Sequence, residues 1–314
     1  YADCPFRFYL ERVLGLAPLP PADPGLTGEE RGSLVHRIAC RFYAGWRRDG
    51  NGAVTEASYP DALRRILTTG REEADRFTFT SPSWVAGKEH LLGSPAAGPG
   101  LLERFLRHEA AVVGSGLIPQ AFEVSFGLPV TAGEADPASV PDAVAIALGC
   151  GTLRLRGRID RIDLLPGGRF VVTDYKTGSQ RPTLGEVVAG RALQLPLYIR
   201  AVETLTGMQG IAGTCYTLRR GKVQNRPVFW DKAMKDCFTC FPGSRQSGVG
   251  DVRELVEASL ARVKEHLAGI RGGRFPPRSD AGPCPGYCGF KTVCRFDSLR
   301  LLAAGGEVNA DGTD

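Results

Sequence analysis

Residues 152–175 read TLRLRGRIDRIDLLPGGRFVVTDY, two strand-like runs joined by the turn Pro166-Gly167-Gly168. This hairpin constrains the fold most, because each of its charged side chains must be assigned to one face of a sheet. Residues two apart on a strand share a face, so Asp174 and Lys176 point together while Tyr175 points away. Asp160 and Asp163 are three apart, and a regular strand sends them to opposite sides. With Leu153, Leu155 and Ile159 marking the packed face, Asp160 joins Arg156 and Arg158 on the other. Asp163 then shares a side with Arg161, as a local ion pair.

The rest of the chain is arranged around this hairpin. Phe6, Tyr9, Leu10, Val13 and Leu14 give a helix over 4–16, followed by a Pro-rich loop at 18–25. Thr27 and Glu30 fit a capping box that opens a helix through Leu34, Val35, Ile38, Phe42 and Trp46. Further helices are expected near 58–78 and 100–115, separated by a Ser/Pro/Gly-rich break at 92–100. AFEVSFGLPV alternates like a strand before the hairpin. A helix over 183–206, strands at 211–218 and 222–230, and a helix near 251–270 follow it. This order predicts a mixed α/β domain with a helical insertion between its first helices and its sheet.

Asp174 and Lys176, at a strand end ahead of Gly178, admit two readings. One is a surface ion pair. The other is metal-assisted hydrolysis, in which the carboxylate holds a divalent cation and the lysine orients or deprotonates the attacking water. His36 is either a packed core histidine or a ligand, and Gly32 one turn earlier favours the second by allowing close backbone approach. Glu123, a carboxylate on the first strand, could reach the metal or a second one, but is read rather as structural or as a support to the metal ligands.

GRIDRID, the hairpin, DYKTG, Gln194-Leu195-Pro196-Leu197-Tyr198 and Gly32-Ser33-Leu34-Val35-His36 together resemble the RecB-like branch of the PD-(D/E)XK nuclease superfamily. With CPFRFYL in front and cysteines behind, the chain is similar to the C-terminal nuclease domain of AddB-type helicase–nuclease subunits, over about residues 1–297. The resemblance implies a restriction-endonuclease-like α/β core, a mixed central sheet flanked by helices. It implies one domain over 1–302, with a helical insertion at about 50–115 that matches no part of the pattern. The tail 303–314 is expected to be disordered.

The resemblance also assigns roles. His36, Asp160 and Asp174 become ligands of Mg²⁺ or Mn²⁺, with the backbone carbonyl of Tyr175 as a further one. Lys176 becomes the catalytic lysine, and Gln194 and Tyr198, four apart on one helix face, flank the scissile strand. The implied activity is hydrolysis of DNA phosphodiesters to 5′-phosphate products in double-strand-break repair and recombination. Single-stranded ends would be fed by a helicase motor, in a partner subunit or an upstream region of a longer chain. The alternatives are a non-catalytic DNA-end-binding scaffold and a self-contained CRISPR-adaptation-type exonuclease.

Nine cysteines, an odd number at low density in 314 residues, point to metal ligation in a reducing, cytoplasmic compartment rather than to disulfides. Three of them, Cys284, Cys288 and Cys294, fall within eleven positions. The resemblance supplies Cys4 as the fourth ligand of a [4Fe–4S] cluster that ties the chain ends together, although the first spacing is one residue longer than the family's. Cys237 and Cys240 form a rival C-x-x-C pair that could complete a zinc or iron–sulfur site with two of the C-terminal thiolates. Cys40, Cys150 and Cys215 read as small buried residues. The net charge of +5 is compatible with a nucleic-acid partner but mild, and 32 arginines against seven lysines read as base-composition bias. No apolar run reaches the length of a membrane span.

Overall fold

The computed structural model describes residues 1–17, 26–78, 81–129, 136–149, 151–178, 181–219, 222–277 and 288–294. The expectations for Cys150, Cys284 and the tail 303–314 lie outside them. The chain divides into two compact units, Tyr1–Ala22 with Ala261–Asp314, and Asp23–Leu260.

In the first unit Cys4 caps α1 (Pro5–Phe8), with its Sγ accepting the Arg7 N–H at 3.4 Å and Pro5 in the first turn. The single helix expected to Leu16 instead passes into a π-helical turn over Tyr9–Val13. The two ends of the chain are stitched together here. Phe6 N–H donates to the Pro276 carbonyl at 3.1 Å, and the Tyr1 hydroxyl donates to the Arg274 carbonyl at 2.6 Å. Tyr9 lies against Phe275 with ring centroids 5.0 Å apart.

In the second unit the capping box forms, with Glu30 N–H donating to Thr27 Oγ1 and Thr27 N–H to Glu30 Oε2, and opens α2 (Gly28–Arg48). Its apolar stripe of Leu34, Val35, Ile38, Phe42, Tyr43 and Trp46 is buried. α3 (Tyr59–Ala74) follows as expected. The next helix, α4 (Pro82–Leu92), was not legible because its apolar residues form no stripe. The break at 92–100 is a two-stranded hairpin, β1 (Gly93–Ser94) and β2 (Gly98–Pro99), before α5 (Leu101–Ala111).

The sheet begins with β3 (Ile118–Phe126). The long strand expected from Thr152 is broken at Arg156. β4 (Val144–Ala147) and β5 (Thr152–Leu155) pair with each other in a separate ribbon, while β6 (Gly157–Leu165) and β7 (Arg169–Lys176) join β3. One expected helix is two, α6 (Leu184–Val188) and α7 (Gln194–Thr206), because Gly190 takes φ +70° between them. Then come β8 (Gln209–Arg219), β9 (Lys222–Asp231), α8 (Lys235–Phe238), β10 (Gly248–Val249), α9 (Val252–Arg271) and α10 (Lys291–Cys294). The six-stranded order is β10-β9-β8-β7-β6-β3, with β7–β8 and β9–β10 parallel and the rest antiparallel. The parallel step from β7 to β8 requires a crossover, which α6 and α7 provide.

Cores form on both faces of the sheet. Ile159, Val172, Cys215 and Phe229 pack with Leu195 and Ile199 of α7 and Val256 of α9. Tyr175, Tyr216 and Phe122 pack instead with α2 and α5. That second core encloses charge. Arg161 donates to Glu109 Oε2 and to Asp163 Oδ1, both at 2.7 Å, and Tyr43 donates to Glu109. All four side chains are buried. Asp163 therefore pairs with Arg161 as expected, but Ile159 lies in the other core together with Ile162, so the two-residue alternation expected of this strand breaks between Ile159 and Arg161. Removing one partner leaves an uncompensated buried charge, so Arg161→Ala should destabilise the chain by about 3–5 kcal/mol in a denaturant titration. A loss under about 1 kcal/mol would mean that water reaches this cluster.

Candidate active site

The β6–β7 ladder runs from Leu165↔Arg169 to Arg161↔Thr173 and stops one step short of Asp160 and Asp174. There the strands part, and the Asp160 carboxylate replaces the missing backbone pairing by accepting the Tyr175 N–H at 2.7 Å. Asp160 and Asp174 are both buried. Asp174 Oδ1 accepts from Gln194 Nε2 at 2.8 Å, and its Oδ2 lies 2.8 Å from Lys176 Nζ. Lys176 also approaches Gln194 Oε1 at 3.4 Å, so Gln194, the first residue of α7, bridges the carboxylate and the ammonium. Tyr198, one turn on, holds its hydroxyl 3.4 Å from Gln194 Nε2. Gly157 makes room for it: a Cβ there would stand 3.2 Å from the tyrosine ring.

His36 enters from α2. Its Nδ1 lies 3.2 Å from Glu123 Oε1 and 3.4 Å from Asp160 Oδ1. Gly32, one turn earlier, lets α2 approach the end of β7, since a Cβ there would stand 3.3 Å from Thr177 Oγ1. The donor atoms of His36, Glu123 and Asp160 all lie within 4.8 Å of one another. Among the described residues no other set of imidazole, thiol and carboxylate donors closes this far.

Glu123 is the position that strand periodicity did not foresee. Its φ is +53°, the only positive value at a non-glycine residue among those described. Such a conformation costs roughly 1–3 kcal/mol and is retained where surrounding structure dictates it. The kink is visible in the neighbouring hydrogen bonds. Phe122 N–H donates to Asp136 and Ser125 N–H donates to Ser139, on the side away from β6. The displaced carboxylate lands against His36 and 3.5 Å from Arg158 Nη1. Its only sequence signal is an acidic residue inside the apolar run AFEVSF.

The electrostatics follow from this crowding. Burial disfavours the His36 imidazolium, but hydrogen bonds to Asp160 and Glu123 and their charges outweigh it, pushing the group up to about 10. Burial and the Asp160 charge raise the Asp174 carboxyl to about 6 against the opposing pull of Lys176 and His36. Lys176 is desolvated, yet Asp174 holds its pKa above the ordinary lysine value. Without a bound cation, Lys176 is thus a positioned ammonium.

Cys4 lies at the head of α1, while Cys288 and Cys294 lie at the other end of the sequence, in the same unit. Cys237 and Cys240 belong to the other unit, where Cys240 is exposed. Burial pushes the thiols of Cys40 and Cys215 up to about 12, which leaves them chemically quiet.

A family model described as the PD-(D/E)XK nuclease superfamily matches residues 1–295. The chain is 40% identical to an ATP-dependent helicase/deoxyribonuclease subunit of Symbiobacterium thermophilum, aligned over 95% of this chain and 29% of that protein. It is 26% identical to the like-named protein of Moorella thermoacetica, over the same two shares. A third relative so named, from Desulforudis audaxviator, is 28% identical over 67% of this chain and 22% of its own length. The chain spans less than a third of these curated relatives. No helix among the described residues is long and apolar enough to cross a membrane. A family match over nearly the whole chain, on a mixed sheet whose parted strands carry Asp160, Asp174 and Lys176, establishes that the chain belongs to the PD-(D/E)XK nuclease superfamily.

Proposed function

We propose that this chain is the metal-dependent DNA nuclease domain of a helicase–nuclease that processes broken DNA ends in the cytoplasm. The observation that carries the reading is the convergence of His36, Glu123 and Asp160 beside the Asp174–Lys176 pair. Two carboxylates and one imidazole suit a hard divalent cation, Mg²⁺ or, favoured by the imidazole, Mn²⁺. His36, Asp160, Asp174 and the Tyr175 carbonyl would hold it, with Glu123 added to the set. A cation bound there supplies Lewis-acid stabilisation of charge developing on the phosphate.

The remaining chemistry belongs to the chain's own residues. Lys176 is held by Asp174 and Gln194 where it can orient the attacking water and steady the developing negative charge. Gln194 and Tyr198 present an amide and a hydroxyl on one helix face, positioned to fix the strand to be cut. The reading extends to single-stranded ends as substrate and to a helicase motor as partner, which would raise the local DNA concentration. Neither a non-catalytic scaffold nor a stand-alone exonuclease has an observation in its favour.

The cysteine set supports a [4Fe–4S] staple in the same domain, taken as residues 1–302. Cys4, Cys288 and Cys294 lie together in the unit that gathers both chain ends. They do not close to single-ion distances, and a cluster whose own atoms stand between the cysteines requires no such closure.

A ligating imidazole must be neutral, whereas His36 stays protonated up to about 10 without metal. Metal binding should therefore displace a proton, and affinity should rise up to about tenfold per pH unit from about 6 toward 10. Calorimetric Mn²⁺ titrations at about pH 7.5 in two buffers of different ionisation heat should show about one proton released per ion, and none for His36→Ala. The same protein should cut a labelled single-stranded oligonucleotide to 5′-phosphate ends only when Mg²⁺ or Mn²⁺ is added. Cleavage that persists in excess chelator would overturn the reading.

A further inference from the structure

Asp174 of β7 stands opposite Cys215 of β8, and Cys215 stands opposite Arg226 of β9. Residues opposed in a ladder share a face, so these three form one cross-strand row, with Asp174 and Arg226 two strand spacings, about 10 Å, apart. Cys215 in the middle is fully buried. The row therefore has two charged ends, the Asp174–Lys176 pair and a guanidinium.

That guanidinium has an unmet need. Arg226 Nε is buried without a hydrogen-bond partner, and among the described residues no carboxylate pairs with it. Arg158, Arg161 and Arg200, by contrast, each meet at least one carboxylate. The side chain lies along Gly243, where an added Cβ would stand 3.7 Å from Nη1. A second arginine, Arg181, stands within electrostatic reach, also without a carboxylate among the described residues. Burial and the Arg226 charge hold Arg181 below the ordinary arginine value, and it also acts on the Cys215 thiol.

A guanidinium whose Nε is desolvated and unpartnered is unfavourable on its own, and orphaned buried donors are rare in folded proteins. An anion supplies what it lacks. The guanidinium fork matches the oxygens of a phosphate bidentately, and the charge excludes a cationic ligand. The position on the Asp174 row favours a phosphate belonging to the strand being cut.

We propose that Arg226 clamps a phosphate of the DNA strand about one or two nucleotides from the scissile bond, on the β9 side of the site. This rests on the nuclease reading above.

The test measures binding of a fluorescent single-stranded oligonucleotide by this chain, with Ca²⁺ replacing Mg²⁺, across a salt series. Arg226→Met should weaken binding on the order of tenfold. It should also flatten the slope of log affinity against log salt by about 0.7. Arg245→Met, which removes an exposed charge near Gly243, is the control for net charge and should change neither appreciably. Thermal melting separates a ligand site from a structural one. Removing a half-buried guanidinium that pairs with no carboxylate among the described residues should leave the midpoint of Arg226→Met unchanged or higher. A midpoint that falls while DNA binding follows the Arg245 control would overturn the clamp and leave the nuclease reading standing. Should the wild type neither bind nor cut single-stranded DNA, both fall together.

Discussion

Asp174→Asn and Lys176→Ala should each reduce metal-dependent cleavage of single-stranded DNA by about 10²–10⁴-fold, the range for losing a positioned acid, base or charge-stabilising group. The two variants should differ in stability. Asp174 is buried, and its carboxyl is raised from 3.8 to about 6. Its ionised form therefore weakens the metal-free protein. That penalty is absent below pH 3.8, grows as pH rises, and is complete above about 6. Asp174→Asn keeps the volume and an acceptor for Gln194 but carries no charge, so at about pH 7.5 it should melt no lower than wild type. The gain should not exceed about 3 kcal/mol. Lys176→Ala strips Asp174 of its counter-ion and should raise that carboxyl further. Single-turnover cleavage and thermal melts on the same preparations check both statements. Cleavage at the wild-type rate in both variants would remove Asp174 and Lys176 from the chemistry.

The second large effect concerns the chain ends. Anaerobically purified protein should be brown, with visible sulfur-to-iron absorption and about four irons per chain. Cys4→Ala should lose the colour as completely as Cys288→Ala, although the two residues lie at opposite ends of the sequence. It should also cost on the order of 4–5 kcal/mol, because the cross-link closing nearly the whole chain is gone. Cys237→Ala and Cys240→Ala should stay brown. A colourless protein that holds one zinc, keeps it in Cys4→Ala and loses it in Cys237→Ala would replace the staple with the C-x-x-C site.

The parts of this fold that were legible in the sequence are those written locally. The capping box at Thr27 and Glu30, the stripe of α2 and the pairing of Arg161 with Asp163 each depend on neighbours a few positions away. What escaped depends on partners far along the chain. Arg156 ends a strand only because residues 152–155 find Val144–Ala147, while residues from Gly157 onward join the main sheet. The Asp174–Lys176 pairing could be expected from motif and spacing, whereas the bridging of both by Gln194 could not. The reversal at Glu123 could not, because an α-left conformation at a glutamate has no compositional marker. Arg161 read as a local partner of Asp163, yet it also takes Glu109, 52 positions earlier and in the segment expected to be a helical insertion.

That last pairing makes residues 50–115 something other than a detachable cassette. Arg161 follows Asp160 directly, so the Glu109 carboxylate neutralises a charge one residue from the candidate site. A shortened chain lacking α3 to α5 would expose Arg161 and loosen the strand that aims Asp160. Engineers seeking a smaller nuclease from this scaffold must therefore replace Glu109, or neutralise Arg161 at the same time, before trimming anything else.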